Sequence, residues 1–347
     1  MAKYTGGFIT KTEVIPTLSA AVGVWSIQEA LMYQKAGIYP VPPFAYAGAS
    51  TVGFFAGGTN SGGTDQNVID FVNIASTGNA SDYGDLTVTR DKLFAGTIAN
   101  TTRGVFAGGD IANTKQDVIE FITMTSQANA TDFGNLSAAK SVGSAFSSST
   151  RGVFAAGQDG SGRVNVIEYI TIANTGNGTD FGDTSATAIT GSGLSSTTRG
   201  VIALGSTGSA SDTMEYVTIG STGNTTDFGN LSVARTLVTG AVASASRGVF
   251  AGGYGSSSPT DVMDYITIAS AGNATDFGNL VATSYNIAGA ESTTRGVFGG
   301  GEDAGSAYNI IQYITIGSTG NTTDFGDLSV GRHELGGCSS ATASGAG

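Results

Sequence analysis

A single histidine, His333, and a single cysteine, Cys338, are all this chain offers toward imidazole or thiol chemistry. A Ser-His-Asp or Cys-His arrangement needs the imidazole beside a nucleophile, and a histidine-rich metal centre needs several imidazoles. One cysteine can form no intrachain disulfide and no cysteine-based metal site, so Cys338 is expected to pack as a small hydrophobe. A carboxylate does recur. Asp82, Asp132, Asp180, Asp227, Asp276 and Asp324 each precede Phe-Gly or Tyr-Gly. Catalytic carboxyl pairs need two different environments, whereas equivalent copies suggest turn-capping in every repeat, with calcium as the alternative. Arginine recurs too, at Arg103, Arg151, Arg199, Arg247 and Arg295. Guanidinium is the cation best suited to buried bidentate pairing, so each arginine is expected to meet an Asp or Glu of its own or the neighbouring repeat. No catalytic, cofactor-binding or metal-ligating residue is assigned, no cofactor is expected, and the chain reads as a non-enzyme.

The spacing of those arginines is the strongest signal in the sequence. Each opens an Arg-Gly string, and successive strings lie 48 residues apart. A degenerate first copy, VGFFAGG, places Gly53 opposite Gly104. A period near 50 residues marks a repeat architecture. In the fifth copy, RGVFAGG (247–253) is followed by a polar loop, by VMDYITIAS (262–270) and by GNATDFGNL (272–280). The β-branched and aromatic content of both apolar runs predicts strands. Val262, Tyr265, Ile266 and Ile268 do not share one face, so that strand must be covered on both sides. The Gly-Gly pair ends its strand by adopting backbone angles closed to other residues.

The unit resembles the kelch motif in its Gly-Gly strand and in a later strand carrying an acidic-aromatic pair: Glu168-Tyr169, Glu215-Tyr216, Asp264-Tyr265. It departs from that motif by placing Tyr83, Phe133, Phe181, Phe228, Phe277 and Phe325 where the pattern usually has Trp. The resemblance implies an all-β fold: a six-bladed kelch-like β-propeller of four-stranded blades over residues 44–347. The sequence ends where a seventh Arg-Gly strand would begin, so the segment after Leu328 is expected to pair with the first Gly-Gly strand and close the ring. FAYAGAS (44–50) is the competing candidate for that edge. Closure matters because an open sheet edge invites aggregation.

Residues 1–43 do not repeat and read as an N-terminal arm. Ser26 and Glu29 have capping-box spacing, the run at about 27–36 is helical in pattern, and Gly37 is a natural C-terminal stop. Trp25, Leu31 and Tyr33 are its candidate docking residues. The string GVWSIQEALMYQKAGIYP resembles segments of structural proteins of tailed phages of marine bacteria. That resemblance implies a virion location, with assembly in the host cytoplasm and attachment to other virion proteins through the arm.

A net charge of −12 disfavours phosphate backbones and anionic lipid, so neither nucleic acid nor membrane is expected as a partner. The opening residues show no continuous apolar stretch of the signal-peptide kind. Asn79-Ala-Ser, Asn129-Ala-Thr and Asn273-Ala-Thr have the form of glycosylation acceptors but fall in the repeated turn, where turn chemistry accounts for them. Only the loops after Gly-Gly vary freely. They supply the candidate recognition residues Gln158, Asp159, Arg163, Tyr254, Glu302, Asp303 and Tyr308, facing a host glycan or protein. A homo-oligomer and a secreted or cell-surface carbohydrate-binding module remain the other readings.

Overall fold

The computed structural model describes residues 51–93, 97–141 and 143–341. The expected arm helix, Trp25, Leu31, Tyr33 and the 44–50 strand lie outside the described residues. Those described contain strands and no helix. Six four-stranded antiparallel sheets form the blades of a β-propeller.

Numbering blades in chain order, the inner strands are Gly336–Ser339, Thr97–Ala99, Ser144–Ser147, Ser192–Ser195, Gly240–Ala243 and Ala288–Glu291. The second strands are Val52–Ala56, Arg103–Ala107, Arg151–Gln158, Arg199–Ala203, Arg247–Ala251 and Arg295–Gly299. Third come Val68–Asn73, Val118–Thr123, Arg163–Thr171, Ser211–Thr218, Val262–Thr267 and Ile310–Thr315. The outer strands are Ser81–Asp85, Thr131–Asn135, Thr179–Ala188, Thr226–Arg235, Thr275–Asn279 and Thr323–Asp327.

Both faces of a blade are apolar because each packs against a neighbouring blade. Ile98, Phe133, Phe154 and Ile172 form one such cluster between blades 2 and 3, and Phe228, Val238, Phe250 and Ile268 another between blades 4 and 5. Each fully buried aromatic or aliphatic side chain contributes on the order of 1.5–3 kcal/mol. The repeated aromatic therefore packs at the seam, edge-on to the aromatic of the third strand, as Phe133 does to Phe121 at 5.9 Å.

The Gly-Gly pairs adopt left-handed angles, with φ of 67° at Gly108 and 93° at Gly109. Blade 3 shows which of the two is indispensable. Ala156 replaces the first at φ 56°, but a Cβ on the second, Gly157, would stand 2.1 Å from the Ser141 carbonyl oxygen. That close approach lets the loop after each second strand form a backbone bridge with the link from the preceding blade.

Blade 1 is assembled from two distant parts of the sequence. Gly336–Ser339 pairs with Val52–Ala56, setting Cys338 opposite Phe54. In blade 3 the turn between inner and second strands is held by Ser148 N–H to Arg151 O and by Arg151 N–H to Ser148 Oγ. Blade 1 reproduces both bonds across the gap in the chain: Ser340 N–H to Val52 O and Val52 N–H to Ser340 Oγ, each 2.9 Å.

A belt of backbone bonds ties the blades at their outer edges. Gly176 N–H donates to Phe133 O, and Asn177 Oδ1 accepts from Asn135 N–H. Asn79, Asn129, Asn224, Asn273 and Asn321 accept in the same way from the preceding blade. The acceptor-like asparagines are thus seam ties.

Candidate functional site

Among the described residues the repeated arginines pair with no carboxylate, contrary to the expectation from their type. Each opens a second strand and lays its guanidinium over the third-strand aromatic of its own blade. The distances to the ring centroid are 4.5 Å for Arg103 on Phe121, 4.2 Å for Arg151 on Tyr169, 4.4 Å for Arg199 on Tyr216, and 4.5 Å for both Arg247 on Tyr265 and Arg295 on Tyr313. The free edge of the guanidinium then donates to a carbonyl of the next blade: Ile172, Ile219, Ile268, Ile316 and Ile74 respectively. A planar cation stacks flat on the ring while its edge N–H groups donate in fixed directions, a geometry that a compact ammonium does not reproduce. Blade 1 has Val52 in place of arginine. It also has Tyr83 where the others have Phe, and that hydroxyl donates to Thr123 O of blade 2 at 2.6 Å. One seam is therefore clasped by a different group.

Arg199→Ala should lower stability by about 1–3 kcal/mol, losing a charge-assisted bond and a ring contact. Arg199→Lys should recover only part of this in urea denaturation.

The carboxylate partners belong to a different column of cations. The acid of the acidic-aromatic pair points into the seam and meets a cation from the link that leaves the preceding blade. Arg235 Nη2 lies 2.7 Å from Asp264, Arg332 Nη2 lies 2.8 Å from Asp70, Lys140 Nζ lies 2.7 Å from Glu168, and Arg90 pairs with Glu120. The three arginine pairs are fully buried. Burial pulls the Arg235 and Arg332 guanidinium groups below their usual range while Asp264 and Asp70 hold them up. The two remaining seams show how the column varies. At the seam between blades 5 and 6 the two equivalent positions hold the neutral residues Ser284 and Gln312, and Gln312 accepts from Val281 N–H and Thr322 Oγ1. Ala188 offers Glu215 no cation, and Ser185 and Thr225 donate to that carboxylate instead.

Asp132, Asp180, Asp227, Asp276 and Asp324 are exposed on the outer strands. They stand at a β-bulge, as between Asp132 and Gly134. The bulge angle is carried by the glycine: Gly182 has φ 146°, and a Cβ there would lie 2.4 Å from Gly223 O. Turn-capping by these aspartates is therefore corrected to an exposed position beside a glycine bulge. Among the described residues, no group of three or more His, Cys, Asp or Glu could hold a metal.

The variable loops are held by one backbone device. Asp91 bridges Asp110, Ser141 bridges Gln158, Ile189 bridges Ser206, Thr236 bridges Tyr254, Tyr285 bridges Glu302, and His333 pairs with Thr59. Tyr254, Glu302, Asp303 and Tyr308 fall on blades 5 and 6; Gln158, Asp159 and Arg163 form a separate group on blade 3. Around the first group the chemistry is denser than the loop sequences suggest. Tyr254 and Tyr285 meet edge-on at 5.6 Å, Asn286 Nδ2 donates to Glu302, Thr283 Oγ1 donates to Asp303, and His333 Nδ1 lies 3.1 Å from Glu302. Burial and then Glu302 push the Tyr285 hydroxyl up to about 12, while burial pulls His333 down against the pull of Glu302. Tyr285, Asn286 and His333 come from inter-blade links, whose approach to the loops only the closed ring reveals. On the blade 3 hairpin Arg163 is exposed, and Asp159 Oδ1 accepts from the Ser161 and Gly162 N–H groups. The chain matches no protein-family model and no curated protein sequence, so its membership is established at the level of the fold: a six-bladed β-propeller.

Proposed function

We propose that the chain is a non-enzymatic, kelch-like recognition and assembly propeller of a phage virion, a fibre, decoration or tail-associated protein. The observation that carries the recognition role is the contrast on the loop face. Six equivalent backbone bridges hold loops of unrelated chemistry, and one of them gathers two tyrosines and two carboxylates. A rigid frame with unequal loops is how a scaffold presents specificity. The Gly-Gly strand ends and the acidic-aromatic third strand support the kelch-like relationship. The arm sequence GVWSIQEALMYQKAGIYP supports the virion location.

The expected result is recovery of the protein by mass spectrometry from gradient-purified virions. Replacing Tyr254 and Asp303 together with alanine should change stability by only about 0.5–1 kcal/mol and slow adsorption to the host. Absence from virions, with unchanged adsorption, would reject this reading.

A carbohydrate-binding module is the second reading, on one specific observation. Shallow pockets of about 250 and 260 Å³ recur at equivalent places on blades 3 and 6, bounded by Tyr169 with Asn177 and by Tyr313 with Asn321. A glycan array separates the two.

A further inference from the structure

Where the inner strands end, one column of side chains rings the propeller axis: Ala99, Ser147, Ser195, Ala243, Glu291 and Ser339. Five are small and one is an acid. Together they line an axial cavity of about 70 Å³. The hydroxyl protons on its wall are already committed. Thr97 Oγ1 donates to Gly337 O at 2.6 Å, Ser147 Oγ to Ala99 O at 2.8 Å, Ser195 Oγ to Ser147 O at 2.7 Å, and Ser339 Oγ to Ala341 O at 2.8 Å. Those oxygens turn only lone pairs toward the cavity. No described residue forms an ion pair with Glu291, and its nearest titratable neighbour on the wall is the Cys338 thiol, itself pushed up by burial and then by Glu291. The other inner strands bring no titratable side chain to the column. The Cys338 thiol and, below about pH 8, the protonated Glu291 carboxyl are the wall's remaining donors; once Glu291 ionises, the wall is complementary to a cation.

Size and ligand count narrow the class. A cavity of about 70 Å³ has room for a compact ammonium head or an alkali ion with accompanying water. Divalent cations gather six or more oxygens, usually with several carboxylates, and this wall has one.

We propose that the axial cavity at Glu291 is a binding site for a compact monovalent cation, either a free potassium- or ammonium-like ion or the ammonium group of a partner's lysine. Burial pushes the Glu291 carboxyl up to about 8. An acid raised in the folded state contributes stability that is present below its unfolded value, about 4.3, and is lost as pH rises through 8. A bound cation offsets that loss, so its effect belongs to alkaline pH.

Thermal melting at pH 9 and fixed ionic strength tests this, comparing choline, potassium and ammonium chlorides and Nα-acetyl-lysine methylamide. The comparison variant is Glu291→Ser, which installs the residue three other inner strands already carry. Potassium or ammonium should raise the melting temperature of the native chain by about 2–4 °C over choline, with little rise at pH 6 and none in Glu291→Ser. A rise with the lysine derivative alone assigns the site to a partner's side chain. Equal melting in all four media, or a cation response retained in Glu291→Ser, overturns the proposal.

Discussion

Removing residues 336–347 should leave a chain that no longer melts as one cooperative unit and that aggregates on concentration. The deleted inner strand supplies the fourth strand of blade 1 and packs between the inner strands of blades 2 and 6. Its loss bares one edge of Val52–Ala56, a strand buried along its whole length. It also uncovers Phe54 and Phe55, both fully buried in the closed ring. An apolar strand with unpaired N–H and C=O groups is a template for pairing with another chain. Calorimetry and size-exclusion chromatography of the truncated protein measure both effects. A synthetic peptide of residues 334–341, added in trans, should restore a single transition by adding the missing strand. A soluble truncation with an unchanged melting temperature would show that the ring does not depend on this strand.

The second large effect lies at the seam between blades 4 and 5. Arg235→Ala and Asp264→Ala should each cost about 3–5 kcal/mol, because either change strands an unpaired charge out of water. The double change Arg235→Ser with Asp264→Gln should cost clearly less than either single change. It installs the neutral residue types, Ser284 and Gln312, that stand buried at the equivalent positions one seam further on. A urea-denaturation cycle over the four proteins gives the coupling. Additive losses would mean that Arg235 and Asp264 contribute separately, through packing rather than through charge.

The 48-residue period made the blade count legible, and the doubly apolar third strand made its burial legible. The seam ion pairs were not, for a physical reason. The conspicuous arginine, repeated in five of the six copies, stacks on an aromatic and needs only carbonyl acceptors. The cation that meets the buried acid occupies a column reading Arg90, Lys140, Ala188, Arg235, Ser284 and Arg332. It changes because its requirement is local: a charge is kept opposite Asp70, Glu120, Glu168 and Asp264 and dropped opposite Gln312 and Glu215. Glu215, with no cation, shows that hydroxyl donors can take over. The Glu291 cavity was hidden for another reason. A lone Glu in a run of Ser, Thr and Ala means little until the strand carrying it is known to face the axis.

The junction of blade 1 bears on where a backbone may be interrupted. Ser340, Ala341, Thr51 and Val52 occupy the four places that Ser148, Ser149, Thr150 and Arg151 fill in blade 3. The two hydrogen bonds of that turn are present although no peptide bond links Ala341 to Thr51. The ring is thus a circular object with one nick, and what holds the nick shut is the geometry found at the intact turns. Joining Ala341 directly to Thr51 and opening the chain at another Ser-x-x-Arg turn would describe the same propeller with a different first residue. Sequence order and spatial order are separable here to the extent of one strand.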